Sequence, residues 1–499
     1  MTGPAPISER ARILSNYGRL AVTFASGLLI IRLLGGIDAD MLAAYLLIVA
    51  ITGFAQIGKI VLQESAVPIL GASWAGPPTR AADAVATVRR AAVLAALIGG
   101  LGFAAFTMFA GPGLGEIASG PLRIAMACAA IQLVASSLAT PALYGLLVSG
   151  RVIAFNLALT AERLAELGAI LLVVWLVTDP DPNTGLVAFY VVATIIYCAV
   201  QALVVLAGRK TSPQHQESSS VGSGHPDLAL LRNLVGYNLL IVVGFLLHLR
   251  LGTLAATFAY GPAGTLALGM AFLMMAYTRQ ATMGLVIGLD ASISRMRHAA
   301  EASRLLRQST YLQAVFAAFP LVGLWLLAEP LLQIWLGPAL LGGDVRVELI
   351  AWAVRLLIVG AYARAVSEPW MKLLNGRGAV GDYAPALFFG ALLNAGVLGA
   401  VLFWQPSLGM AIAMITSAFS AIHLVVHLWV LPRAVARRLG GTAGRLWGIA
   451  IAPLALASAL AVMCLWLPGS AQWIYVPVAM VLMAAMMHPA VRAGFVDKA

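Results

Sequence analysis

Residues 383–431 read YAPALFFGALLNAGVLGAVLFWQPSLGMAIAMITSAFSAIHLVVHLWVL. Two long apolar runs, free of Lys, Arg, Asp and Glu, are separated only by Gln405-Pro406-Ser407. A helix needs about 20 apolar residues to cross the hydrocarbon core of a bilayer. The stretch therefore reads as two membrane-spanning helices joined by a tight turn.

The same pattern recurs along the whole chain. Of 499 residues, 61% are hydrophobic and only 10% charged, against roughly 25% charged in soluble domains. A fold this poor in charge cannot cover its surface with polar groups, so its apolar face meets lipid. A transmembrane β-barrel would show alternating segments of about 10 residues, and the runs here are longer. The 49 glycines and 24 prolines are ordinary in membrane helices, whose neighbours re-satisfy freed backbone groups. The expected fold is an all-α polytopic membrane protein of fourteen spans: 15–34, 41–62, 88–110, 122–148, 153–177, 186–207, 231–254, 263–289, 309–335, 346–374, 383–404, 408–431, 446–467 and 472–490.

Loop charge orients these spans. Connections after odd-numbered spans (35–40, 111–120, 178–185, 255–262, 337–344, 405–407 and 468–472) contain no Lys or Arg, and hold Asp38, Asp40, Glu116, Asp179, Asp181 and Asp344. Those after even-numbered spans carry Arg80, Arg151, Arg209, Lys210, Arg295, Arg297, Arg304, Arg307, Arg377, Arg433, Arg437, Arg438 and Arg445. Basic loops stay cytoplasmic, which predicts a multi-pass protein of the bacterial inner membrane with both termini in the cytoplasm. Glu9, Arg10 and Arg12 precede a full-length apolar segment without a cleavage site, so the first span reads as an uncleaved anchor.

Several chemistries are disfavoured. The net charge of +11 is spread over short loops, with no basic soluble domain to grip nucleic acid. No G-x-x-x-x-G-K-[ST] loop occurs, so ATP-driven transport has no support. Cys128, Cys198 and Cys464 lie inside apolar runs, which suggests neither disulfides nor a thiolate metal site. His423 and His427 have i, i+4 spacing but no evident third ligand; with His248 they read as packing residues. No metal or cofactor is expected.

The polar stretch 208–227, GRKTSPQHQESSSVGSGHPD, reads as a flexible linker. On either side of it lie matching patterns. Leu28-Leu29-Ile30-Ile31-Arg32-Leu33 matches Leu246-Leu247-His248-Leu249-Arg250-Leu251, and Gly150-Arg151 matches Gly376-Arg377. Lys59 and Arg279 lie in the following helix of each half. The expected organisation is a six-helix lobe over 1–207, a cytoplasmic linker over 208–230, a second six-helix lobe over 231–432, and two additional helices over 433–499. An even number of spans per repeat implies a pseudo-twofold axis along the membrane normal with a cavity between lobes.

These features resemble the polysaccharide-exporter, or lipid-linked oligosaccharide flippase, branch of the multidrug/oligosaccharidyl-lipid/polysaccharide (MOP) superfamily. The resemblance is carried by Asn16 with Arg32-Leu33-Leu34-Gly35, by Tyr144-Gly145-Leu146-Leu147 through Arg151 to Asn156, and by Ile293-Ser294-Arg295. Ile334-Trp335-Leu336-Gly337 and Asn394 with Leu408-Gly409-Met410-Ala411 add to it. It covers roughly residues 10–432 and implies alternating access without enzymatic chemistry. An Asp common in span 7 of that family has no counterpart in His248-Leu249-Arg250-Leu251-Gly252.

An unpaired charge at bilayer depth costs roughly 2.5–3.5 kcal/mol on insertion scales, so each charge within a span faces a cavity, pairs or snorkels. Arg32, Arg250 and Arg279, with Arg19 and Lys59, are the candidates for binding a diphosphate head group. Glu162 and Glu166, one turn apart in span 5, and Glu368 in span 10 are the candidates for ion coupling. Two alternatives stand beside these roles: Arg163 neutralises a neighbouring glutamate, and Arg364, Glu368 and Lys372 form an intrahelical ladder at i, i+4, i+8. The expected activity is translocation of a polyprenyl-diphosphate-linked oligosaccharide, with glycosyltransferases and a polymerase of the same pathway as partners. The second reading is an ion-coupled exporter of drugs or metabolites. A membrane polymerase or ligase is disfavoured because the outer loops are short and lack Arg, Lys and His.

Overall fold

The computed structural model describes residues 9–74, 78–109, 113–149, 151–176, 181–209, 226–283, 285–286, 289, 293, 299–336, 347–377, 379–439 and 443–495. Its helices are α1 (Glu9–Ile37), α2 (Ala39–Ala55), α3 (Ile57–Trp74), α4 (Pro78–Phe109), α5 (Ser119–Val148), α6 (Val152–Leu176), α7 (Pro182–Arg209) and α8 (Pro226–Leu249). They continue with α9 (Leu251–Met283), α10 (Ala299–Leu336), α11 (Val347–Gly376), α12 (Ala384–Trp404), α13 (Leu408–Val425), α14 (Leu431–Leu439), α15 (Ala443–Leu465) and α16 (Tyr475–Phe495).

Among the described residues, eleven helical stretches are long and apolar enough to cross a membrane, or twelve if the bent pair α2–α3 is one span. One of them, Val235–Arg279, has 45 residues; at 1.5 Å per residue it holds two spans of an about 30 Å core. Helix α6 falls outside this set and carries Glu162, Arg163 and Glu166. Counted with these two, the spans are the expected fourteen. The protein is thus an all-α multi-pass membrane protein.

The chain divides into two compact units, Met1–Leu246 with Tyr260–Leu266, and Leu247–Ala259 with Ala267–Ala499. The division falls at the end of α8; most of the 208–227 stretch lies outside the described residues. In the first unit α5 packs on α4 and α7, α6 on α1 and α7, and α3 on α4. In the second, α10 packs on α11, α15 and α16, while α13 packs on α11 and α12. Cores are large and apolar: Phe103, Phe189 and Met41 in the first unit, Trp370, Phe319, Phe419 and Tyr475 in the second, all fully buried. On α4, Leu94, Leu97, Ile98 and Leu101 are exposed at helical spacing, the lipid-facing stripe that the composition requires.

The acidic connections are tied together by side-chain caps. Asp38 caps α2, its Oδ1 accepting from the amides of Asp40 and Met41 at 2.7 and 3.1 Å. Asp181 caps α7 through the Asn183 and Thr184 amides, and hydrogen bonds from the Thr184 side chain and amide, with those from Asn183, hold its carboxyl below the usual carboxylate range. Between them lies a small antiparallel hairpin, Gly113–Leu114 with Ile117–Ala118. Asp40 Oδ2 accepts from the Glu116 amide at 2.6 Å, and Asn183 Oδ1 from the Ala118 amide at 2.7 Å. Gly115 turns the hairpin with φ of 59°, and a Cβ there would overlap the Asp40 carboxylate.

Two spans and one connection depart from the expected pattern. The second span bends by 57° between Ala55 and Ile57. A Cβ on Gly99 of α4 would lie 2.8 Å from the Ala55 carbonyl, so the bend sits where α4 makes room for the backbone. The expected 255–262 loop is largely helical: α9 starts at Leu251 and is non-helical only at Gly261, φ 59° and ψ −143°, before Pro262. Glycine tolerates that backbone and proline cannot continue the hydrogen-bond ladder. The twelfth span contains a π-helical turn, Val426–Val430, between α13 and α14.

Candidate functional site

In the first unit, polar groups gather on α6. Gln201 Nε2 of α7 donates to Glu162 Oε1 at 2.8 Å, and both Arg19 of α1 and Lys59 of α3 are attracted electrostatically by Glu162. Arg163 NH1 pairs with Glu166 Oε2 at 2.8 Å within the same helix. Nearer the start of α6, Asn156 Nδ2 donates to Ser15 Oγ and Asn16 Oδ1, locking α6 to α1. Buried Nε of Arg19 has no hydrogen-bond partner among the described residues. Three cations and two carboxylates thus share one half-buried cluster with a net charge of +1. Arg32 lies farther along α1 with an exposed side chain.

In the second unit, Arg279 of α9 meets Glu368 of α11, with Nε 3.0 Å from Oε1. Arg364, one turn before Glu368, stands 3.9 Å away. Glu368 is therefore held more closely across helices than within its own, and Arg279, placed among the head-group candidates, is a partner of Glu368, placed among the ion-coupling candidates. Lys372 adds a further attraction to Glu368. Arg364 and Glu368 are 4% and 3% exposed, whereas the Arg279 side chain is 36% exposed. Arg250 sits half-buried at the turn between α8 and α9.

Three groups escaped the sequence reading. Gln201 is a lone amide in an apolar run, a signal of a polar partner on a neighbouring helix. Ser367 Oγ lies within hydrogen-bond distance of His427 Nδ1, 2.6 Å, and of the Arg364 carbonyl, 2.9 Å. The third is the convergence of His248 with His423 and His427, which lie far apart in sequence. No group of three or more His, Cys, Asp or Glu able to hold a metal occurs among the described residues.

No family model matches the chain, and no curated protein matches it in sequence. Solved structures do match. "Lipid II flippase MurJ, inward closed conformation" superposes with a TM-score of 0.65 at 9% identity, over 98% of this chain and 99% of that one. A MOP superfamily transporter from Pyrococcus furiosus gives a TM-score of 0.59 at 13% identity, over 86% of this chain and 96% of that one. The chain has the MOP transporter fold. A multidrug resistance MATE family transporter of the same superfamily, in an outward-facing conformation, gives a TM-score of 0.59 at 14% identity, with coverage of 86% and 96%. At these identities the likeness is one of fold. Within the MOP fold the matches differ in extent: the flippase spans nearly all of this chain, while the other two leave 14% uncovered.

Proposed function

We propose that the protein is a flippase that moves a polyprenyl-diphosphate-linked oligosaccharide across the bacterial inner membrane by alternating access, serving surface polysaccharide assembly. The observation that carries this reading is an apolar groove built by one of the extra helices. Trp447, Ala450, Ile451, Leu454 and Leu465 of α15 face Leu321 and Trp325 of α10, Val359 of α11 and Leu424 of α13 around about 390 Å³. Tyr362 ties α11 to α15 by donating to the Ala450 carbonyl, and Tyr475 ties α16 to the Phe319 carbonyl of α10 at 2.9 Å. An apolar groove suits a prenyl chain, which gains about 0.8 kcal/mol per buried CH₂. The diphosphate needs charge-assisted donors, and each unit holds candidates for that role: Arg19, Lys59 and Arg32 in the first, Arg250 and Arg279 in the second. Nearly complete coverage by a lipid II flippase supports the same reading.

Ion-coupled export of a drug or small metabolite is the second reading, supported by the MATE match and by the two partly exposed glutamates of α6. A photoactivatable polyprenyl diphosphate separates the two. In vesicles holding the purified protein it should label α15 and α10, and Ile451→Arg should abolish that labelling and the movement of the probe between leaflets. Labelling spread evenly over lipid-facing helices, unchanged in Ile451→Arg, would remove the groove as a tail site.

A further inference from the structure

Within the second unit, three imidazoles form a buried stack. The ring centroids of His248 and His423 are 4.7 Å apart, and those of His423 and His427 are 5.1 Å apart and nearly parallel at 20°. Phe419 stacks on His423 at 4.0 Å. None of the three histidines is more than 1% exposed.

Their hydrogen bonds fix where the protons sit. His423 Nδ1 lies 2.9 Å from the Phe419 carbonyl; a carbonyl only accepts, so this nitrogen carries the hydrogen. Ser367 Oγ lies 2.6 Å from His427 Nδ1 and 2.9 Å from the Arg364 carbonyl; with the serine hydrogen on that carbonyl, His427 Nδ1 is the donor. Both neutral rings then turn a bare Nε2 lone pair into the protein interior, and neither Nε2 has a hydrogen-bond partner among the described residues. His248 sets its ring edge-on to His423 and lies beside the Leu387 backbone of α12. Leaving a buried acceptor unpaired costs about 1–3 kcal/mol. His427 moreover sits in the π-turn Val426–Val430, an irregularity frequent at functional sites.

We propose that His248, His423 and His427 form a proton-binding site at the core of the second unit, in which one proton from water is taken up at an Nε2 lone pair. The charged groups facing the stack come from two helices. Arg364 of α11 faces all three rings, and Arg279 of α9 faces His427; Glu368 is the carboxylate paired with both arginines. Helix α12 brings Gly390 against His248 and contains no ionisable side chain. An imidazolium here adds a positive charge beside two arginines that share one carboxylate. The partly exposed Arg279 is the group with room to respond, so proton uptake loosens the Arg279–Glu368 pair. This site is independent of which substrate is carried.

The test is nitrogen-15 NMR of imidazole-labelled full-length protein in lipid nanodiscs. Replacing His215, His225, His298 and His488 by Gln leaves only the three stacked rings. At pH 8, His423 and His427 should be neutral with the hydrogen on Nδ1. Under the proposal, one ring converts to imidazolium as the pH is lowered from 8 to 5. Glu368→Gln should shift that conversion, because it removes the carboxylate paired with the facing arginines. All three rings staying neutral down to pH 5, as expected of a stack that merely holds buried water, would overturn the proposal. If the fourfold replacement lowers yield, the same titration in the unsubstituted protein, assigned with single His248→Gln, His423→Gln and His427→Gln variants, decides the same question.

Discussion

Arg279 and Glu368 stand 89 residues apart in sequence and 3.0 Å apart in space. One is partly exposed and the other almost fully buried. The two residues are therefore unequal when removed. Glu368→Gln leaves Arg364, 4% exposed, beside Arg279 without the carboxylate between them. Removing one partner of a buried ion pair typically costs about 3–5 kcal/mol, so this variant should show a clearly lower unfolding temperature in detergent. An unchanged temperature would mean that the arginines have other counter-charges of equal strength.

Arg279→Ala leaves Glu368 next to Arg364 and should fold. The expected phenotype is loss of surface polysaccharide export with a normal amount of protein in the membrane, read by immunoblot and surface staining. Export at the wild-type level would remove Arg279 from the transport cycle.

On α6 the outcome concerns coupling. Glu162 is engaged by Gln201 and Glu166 by Arg163. If either carboxylate binds a driving ion, Glu162→Gln/Glu166→Gln should transport without its wild-type dependence on proton or sodium gradients. Retention of the full gradient dependence would assign these acids to packing.

Packing of α11 on α13 depends on Gly360. Ser420 Oγ accepts from the Gly360 amide and donates to the Leu356 carbonyl, inserting between two turns of α11. A Cβ on Gly360 would lie 2.8 Å from Ser420 Cα. Gly360→Ala should destabilise by about 1–3 kcal/mol, the usual cost of overpacking. Gly396 has nothing within 4 Å of an added Cβ, so Gly396→Ala should be neutral or slightly stabilising. Equal unfolding temperatures for the two variants would contradict the close approach.

The connection before α12 provides a pH test. Arg438 of α14 donates two hydrogen bonds to Asp382, at 2.8 and 3.0 Å, and these hold the Asp382 carboxyl below the usual carboxylate range. A carboxylate depressed in the folded state stabilises above its unfolded value near 4 and loses that contribution as pH falls through the folded value. Asp382→Asn should therefore unfold at a slightly lower temperature than wild type at pH 7, with the gap closing below about pH 4. The pair is partly exposed, which keeps the gap small. A gap independent of pH would point to a source other than this ion pair.

Span positions could be read from the chain alone because a bilayer imposes a one-dimensional rule: about 20 apolar residues per crossing, satisfied or not within each segment. The runs 383–404 and 408–431 illustrate this, appearing as α12 and as α13 extended through α14. The charged residues of interest were visible for the same reason, since Arg279 or Glu162 stands out against an apolar background. Their partners were not. Periodicity along α11 suggested that Glu368 belongs to Arg364 and Lys372, yet the shortest contact is with Arg279 on another helix. The bend at Gln56, the helical stretch after Leu251 and the π-turn at His427 likewise depend on what packs alongside. Hydrophobicity is summed residue by residue and so is written in the sequence. Hydrogen bonds and ion pairs depend on distances of a few ångström between segments far apart in the chain, and only the folded arrangement of helices sets those distances.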